Sequence, residues 1–244
     1  MTPANRPLAA YAALSAGYLG CALAGLTPGQ DISKPLLMPL LALAMGLWPR
    51  PAQPSGASRL LLGALLASCA GDTLLLFGGP WFLAGMGGFA VAHVCYISLF
   101  VRGGALRDRA RLLRAATAYG LLWIILISLL WPDLTPALRI PLAGYSLLLA
   151  GTAVTSAGLS RRTGLGGALF LLSDSLIATG LAHWPQLPAP DFWVMATYLT
   201  GQYLLASGTA RQIRCNQRVA HPPADVQPSG STSPQGGSSW TVHS

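Results

Sequence analysis

Charge is scarce in this sequence. Charged residues fill 9% of its 244 positions, against roughly 25% in a soluble globular domain, and a water-facing surface cannot be assembled from so few. Glutamate is absent, all seven acidic residues are Asp, and Lys34 is the lone lysine beside fourteen Arg. Cysteine is sparse as well: Cys21, Cys69 and Cys95 lie inside apolar stretches and Cys215 in a basic segment, with no spacing suited to a zinc site or a disulfide framework. They read as small buried apolar side chains. The glycine clusters at 85–88 and 164–167 lack the strand and the Lys-Ser/Thr of a phosphate loop, so close helix packing is their expected use. No internal repeat is visible.

What is abundant is apolar. Hydrophobic residues reach 52%, mean hydropathy is +0.52, and the apolar residues fall in blocks of about twenty, the length that crosses a ~30 Å hydrocarbon layer as a helix. Eight blocks are bounded by Pro, Gly and charge: Pro7 to Leu26, Ile32 to Trp48, Arg59 to Phe77, Trp81 to Val101, Leu112 to Trp131, Pro136 to Gly158, Gly164 to His183 and Asp191 to Ala210. Backbone groups in lipid must bond within their own segment, and no alternating pattern suggests a barrel. The expected fold is therefore all-α, a polytopic bundle of eight transmembrane helices over residues 8–211. A short cytoplasmic N-terminus (1–7) precedes it, and a basic, then disordered tail (212–244), rich in Pro, Ser, Gly and Gln, follows it.

Threaded alternately, the blocks place Arg6, Arg50, Arg59, Arg102, Arg107, Arg109, Arg111, Arg114, Arg161, Arg162, Arg211, Arg214 and Arg218 on one side and only Arg139 on the other. This bias satisfies the positive-inside rule with both termini cytoplasmic, and the expected location is a bacterial inner (plasma) membrane. The same arginines flank apolar blocks without interleaved aromatics, so the net charge of +8 does not mark a nucleic-acid surface. The first block also has features of a signal peptide, but its apolar run is longer than a usual signal core and a second block follows at once.

Two acidic residues fall inside hydrocarbon. At ~1.5 Å per residue Asp72 lies about two-thirds of the way across the third block and Asp174 near mid-depth in the seventh. Each costs about 2.5–3.5 kcal/mol to insert, so the pair requires compensation. Lys34, His93, Tyr96, Ser173, Tyr198 and Gln202 lie at depths that allow it, and helices two, three, four, seven and eight are expected to turn these faces to one polar pocket. Bland readings stand beside this one: structural aspartates bonded to a neighbouring helix, a packing histidine, amphipathic tyrosines, and a Lys34 that snorkels to the interface. Asp31 reads as a loop residue or as Lys34's ion partner. His183 and Trp81, Trp131, Trp184 and Trp193 read as an interfacial belt, and Asp108, Asp133, Asp191 and Asp225 as loop or tail residues. Only His93 and His183 are imidazoles at membrane depth, too few for the three protein ligands of a catalytic zinc, so neither metal nor other cofactor is expected.

Several segments carry a resemblance. Lys34-Pro35-Leu36-Leu37-Met38-Pro39-Leu40, Gly71-Asp72 with Leu74 and Leu75, His93 with Tyr96, Gly167 through Ala178 around Ser173-Asp174-Ser175, and Thr197-Tyr198 with Gln202 resemble the YhhN-like lysoplasmalogenase family across residues 8 to 210. The resemblance implies an eight-helix hydrolase of the vinyl ether bond of lysoplasmalogens, releasing a fatty aldehyde and a glycerophospho-amine alcohol. Asp72 and Asp174 would be its catalytic carboxylates, and Lys34, His93, Tyr198 and Gln202 would line the pocket. Its partners would be a lysophospholipid substrate and membrane lipids.

The chemistry is compatible. Vinyl ether hydrolysis starts with slow protonation of the carbon remote from oxygen and continues through an oxocarbenium ion that water captures. Paired carboxyls in a low-dielectric site supply an acid and a base, much as in glycosidases. The residues alone leave either Asp as the acid. A proton-coupled carrier or lipid transporter would use the same side chains, although no inverted repeat or pair of broken helices supports one.

Overall fold

The computed structural model describes residues 6–46 and 55–220. They form eight helices: α1 (Arg6–Leu23), α2 (Thr27–Ala44), α3 (Gly56–Leu75), α4 (Trp81–Arg102), α5 (Arg109–Leu130), α6 (Pro136–Leu159), α7 (Arg161–Leu181) and α8 (Pro190–Ala220). No strand occurs among the described residues. Helix starts carry local signals. The side chains of Ser55, Asp108 and Ser160 each accept a backbone N–H at the head of α3, α5 and α7, satisfying donors the helix cannot pair itself. Prolines open α2 and α6, where a missing N–H costs nothing.

Helices α3 to α7 are each long and apolar enough to cross a membrane. Large apolar side chains such as Ile32, Ile124, Ile125, Leu129 and Ile140 are exposed around the bundle, a surface suited to lipid tails and not to water. The chain is an integral membrane protein.

Contacts run α1–α2–α3–α4–α6–α7–α8 and back to α1, which closes a ring of seven helices, while α5 packs outside it against α6. Glycines set the tightest approaches. A Cβ at Gly88 would lie 2.9 Å from the backbone nitrogen of Gly71, and one at Gly166 2.8 Å from that of Leu205. Backbone thus meets backbone at the α3–α4 and α7–α8 seams, the use expected of both glycine clusters.

Two segments differ from the expected spans. Helix α2 begins at Thr27, five residues before the apolar run, because Pro28 and Gly29 sit in a first turn that tolerates them. Asp31 is therefore helical and exposed, not a loop residue, and Lys34's ion pair is with Asp72 instead. Helix α8 continues past Ala210 to Ala220, since a polar segment leaving the bilayer keeps its helical hydrogen bonds in water. The rest of the tail, 221–244, lies outside the described residues, as do Arg50 and the N-terminal residues 1–5.

Candidate active site

Helix α2 carries two internal prolines, Pro35 and Pro39. Without an N–H on Pro39, the carbonyl of Pro35 has no intrahelical donor. The thiol of Cys69 on α3 fills that gap, donating to the Pro35 carbonyl at 3.2 Å. This cross-helix bond lies one residue from Lys34 and one α3 turn from Asp72, so it holds the two opposite charges at the same level. Lys34 Nζ stands 3.8 Å from Asp72 Oδ1.

Asp72 is 2% exposed, and its other oxygen is also occupied. Tyr198 on α8 donates to Oδ2 at 2.7 Å. Behind Tyr198 the network continues through Gln202, whose amide donates to Ser68 Oγ at 3.0 Å and to the Tyr198 hydroxyl at 3.4 Å. Tyr96 then donates to Gln202 Oε1 at 2.6 Å. Helices α3, α4 and α8 are thereby tied by groups that would each be costly to leave unpaired in hydrocarbon. On the far side of α8, Tyr11 of α1 donates to the carbonyl of Leu199 at 3.0 Å, next to Tyr198.

A second network starts from Asp174 on α7. The hydroxyl of Tyr145, on α6, donates to Asp174 Oδ2. His93 Nε2 lies 3.4 Å from that hydroxyl, and its Nδ1 lies 3.1 Å from Thr152 Oγ1. Ser173, the residue before Asp174 on α7, donates to the carbonyl of Val194 on α8 at 3.0 Å, which ties α7 to α8 beside Asp174.

The two networks meet in one cavity. Lys34, Asp72, Tyr145, Ser173, Asp174 and Tyr198 supply its polar lining, and Leu75, Phe82, Met86, Ile177 and Val194 are among its apolar walls. Of the residues expected at the site, Lys34, Asp72, Ser173, Asp174 and Tyr198 line it. His93, Tyr96 and Gln202 do not: His93 and Gln202 stand one hydrogen bond behind, against Tyr145 and Tyr198, and Tyr96 stands one further back, on Gln202. Tyr145 lines the cavity but was not among the residues expected there, and α6, expected as a span, was not among the helices expected to form the pocket. The neighbours of Tyr145 in sequence carry no charge, and the one available signal was a hydroxyl placed four residues after the internal Pro141. The cavity volume is about 60 Å³, where one water needs ~10–15 Å³ on the same measure. It holds a few waters and the reacting atoms of a ligand, not an entire lipid. The polar groups that line it are two carboxyls, two phenols, a serine hydroxyl and an ammonium.

A family model for the YhhN family matches residues 29–209. The chain belongs to the YhhN family. Lysoplasmalogenase TMEM86B of Homo sapiens is 33% identical over 175 residues, which are 71% of this chain and 73% of that protein. The lysoplasmalogenase of Mycobacterium tuberculosis is 31% identical over 227 residues, 82% of each chain, and lysoplasmalogenase TMEM86A of Bos taurus is 32% identical over 184 residues, 68% of this chain and 71% of its own. No solved structure matches. The family match takes in α2 and every cavity-lining side chain through Tyr198, and begins beyond α1. For a YhhN protein, the arrangement puts two carboxyls with unlike partners around one small space: Asp72 with a cation and a phenol, Asp174 with a phenol and, among the described residues, no cation in ion-pair contact.

Proposed function

We propose that this protein is a lysoplasmalogenase that hydrolyses the vinyl ether bond of alkenyl lysophospholipids, with Asp174 as the acid and Asp72 as the base. The carrying observation is that both carboxyls line a single cavity yet have different partners. The names of the relatives favour hydrolysis over transport.

Asp174 donates a proton to the vinyl carbon remote from oxygen, and the positive charge that develops on the oxygen-bearing carbon faces the two carboxylates. Water adds to that carbon as Asp72 takes its proton, giving a hemiacetal. Roles then exchange: Asp174 accepts the hemiacetal hydroxyl proton while Asp72 returns its proton to the departing glycerol oxygen. The C–O bond breaks, aldehyde and alcohol leave, and both carboxyls regain their starting states with one water consumed. Carboxyls in a buried site stabilise such a cation strongly, because the local dielectric is low and the groups are already oriented. Tyr198 and Tyr145 hold the attacking geometry through their hydroxyls, and Lys34 balances Asp72 and meets the substrate phosphate. His93, Tyr96, Gln202 and Ser173 position these groups.

This reading includes eight crossings with both termini in the cytoplasm, in a bacterial inner membrane, supported by the alternate threading of the sequence, which puts thirteen arginines on one side and Arg139 on the other. The decisive experiment incubates purified protein with an alkenyl and an acyl lysophospholipid of the same headgroup and measures aldehyde and fatty acid together. Aldehyde from the alkenyl substrate alone is expected, lost in Asp72→Asn and in Asp174→Asn. Undiminished aldehyde release by both variants would refute the assignment, and fatty acid release would refute the reaction.

A further inference from the structure

The small polar cavity leaves the substrate's hydrocarbon chain without a place, and the fold offers one. A second cleft lies between α5, α6 and α7. Leu122, Trp123, Leu126, Ile127, Leu149 and Leu171 give it an apolar lining, and it shares three residues with the polar cavity: Leu142, Tyr145 and Asp174. Its remaining hydroxyls near Asp174 are already committed. Ser146 accepts from Trp123 Nε1 at 2.8 Å and donates to the Ala143 carbonyl at 3.0 Å, while Ser175 donates to the Leu171 carbonyl at 2.7 Å. Near Asp174 nothing is left to call for a polar ligand, and the Tyr119 hydroxyl lies at the far end of the cleft.

Resting on the lysoplasmalogenase reading above, we infer that this cleft is the subsite for the single alkenyl chain, entered sideways from the bilayer between α5 and α7, with the reacting bond held where cleft and polar cavity join. Three observations carry it. First, the junction is chemically matched: a vinyl ether sits where an apolar chain becomes a polar glycerol, and Asp174 is the carboxyl that borders both spaces. The chain-side carbon, which takes the proton, then lies next to the acid. Second, the cleft has the reach. From Leu130 to Tyr119 its α5 wall descends eleven residues, roughly 16 Å at 1.5 Å each, a length that matches an extended alkyl chain, while its volume of about 50 Å³ means that the chain enters by displacing α5 outward. Third, α5 is the helix outside the ring, with Leu130 its one buried residue, so a chain can enter beneath it without opening the ring that holds the two aspartates.

Two measurements test this. Leu122→Trp and Ala150→Phe fill the inner part of the cleft, the first on an exposed helix face where folding is little at risk. Each is expected to raise the ratio of short-chain to long-chain kcat/KM tenfold or more, the scale on which a hydrophobic pocket discriminates a misfit of about one methylene. An unchanged ratio, with aldehyde still released, overturns the subsite and leaves the proposed reaction standing. The second measurement needs no turnover. A saturated ether lysophospholipid with a photoreactive group at its chain terminus should crosslink to peptides of α5, α6 and α7 around Tyr119, Ala150 and Leu171. Crosslinks concentrated instead in the apolar groove of Leu36, Leu40, Leu62 and Leu66 on α2 and α3, or spread evenly over the lipid-facing surface, overturn it. A wild type that cleaves neither chain length defeats the reaction, and the crosslinks alone then decide the subsite.

Discussion

Tyr145 has two demanding neighbours. Its hydroxyl proton is directed at Asp174, and its oxygen lies against His93 Nε2; the His93 ring also packs on Phe170 at 4.9 Å between centroids. Replacing Tyr145 by Phe keeps the ring and removes both polar contacts. As Asp174 gives up its proton in the proposed reaction it becomes a carboxylate, and a hydrogen bond to a charged group contributes about 1.5–3 kcal/mol; tenfold in rate corresponds to about 1.4 kcal/mol. Tyr145→Phe is thus expected to lower aldehyde release by about 10- to 100-fold while the protein still folds, measured as kcat/KM on the alkenyl substrate. A rate within twofold of the parent's would show that Asp174 needs no such partner. At this scale the sequence was most readable where cost was highest. Asp72 and Asp174 were recognisable because a carboxyl in hydrocarbon demands compensation, and Lys34 because it is the only lysine. Tyr145 escaped because a tyrosine in an apolar helix is unremarkable until its partner across the bundle is known.

The elements carry a different kind of information, since a helix interrupted by proline must settle its orphaned carbonyl somewhere. In α2 the settlement is the Cys69 thiol on the Pro35 carbonyl. Cys69 is therefore more than the small apolar filler its surroundings suggested. Cys69→Ala should destabilise the protein by about 1 kcal/mol, toward the low end for an unsatisfied buried group because a thiol is a weak donor. In a Pro39→Ala background the backbone N–H returns to that carbonyl, and the same cysteine change should then cost little. Thermal unfolding in detergent of the four proteins gives the coupling energy; strict additivity would mean that the thiol contact carries nothing. Boundaries were less legible than the helices themselves. Pro28 and Gly29 resembled a break but occupy the first turn of α2. The polar residues after Ala210 ended the apolar run without ending α8, because hydropathy reports where lipid stops and not where hydrogen bonding does.

At the scale of the whole molecule the two ends are unlike. The turn between α3 and α4, the turn between α7 and α8 and the start of α6 share one end, where Trp184 Nε1 donates to Asp133 Oδ2 at 2.8 Å and Arg139 lies 5.8 Å from the Trp131 ring. The cavity walls run toward this end through Phe82, Leu181 and Val194. Toward the arginine-rich end the cavity is floored by aromatics: Phe170 packs edge-on against Phe89 and Tyr198 at 6.2 and 5.3 Å, and Tyr96 stacks on Phe100 at 5.7 Å. In the proposed topology, with both termini cytoplasmic, the end reached through Phe82, Leu181 and Val194 faces the non-cytoplasmic side, and the polar headgroup is expected to enter from there. Cysteine labelling checks this directly. Gln186 is exposed in the α7–α8 turn and Cys215 is exposed on the last turns of α8. In intact spheroplasts a membrane-impermeant maleimide should modify Gln186→Cys and leave Cys215 untouched until the cells are lysed. Labelling of Cys215 from outside, with Gln186→Cys protected, would invert the bundle and turn the mouth of the cavity to the cytoplasm.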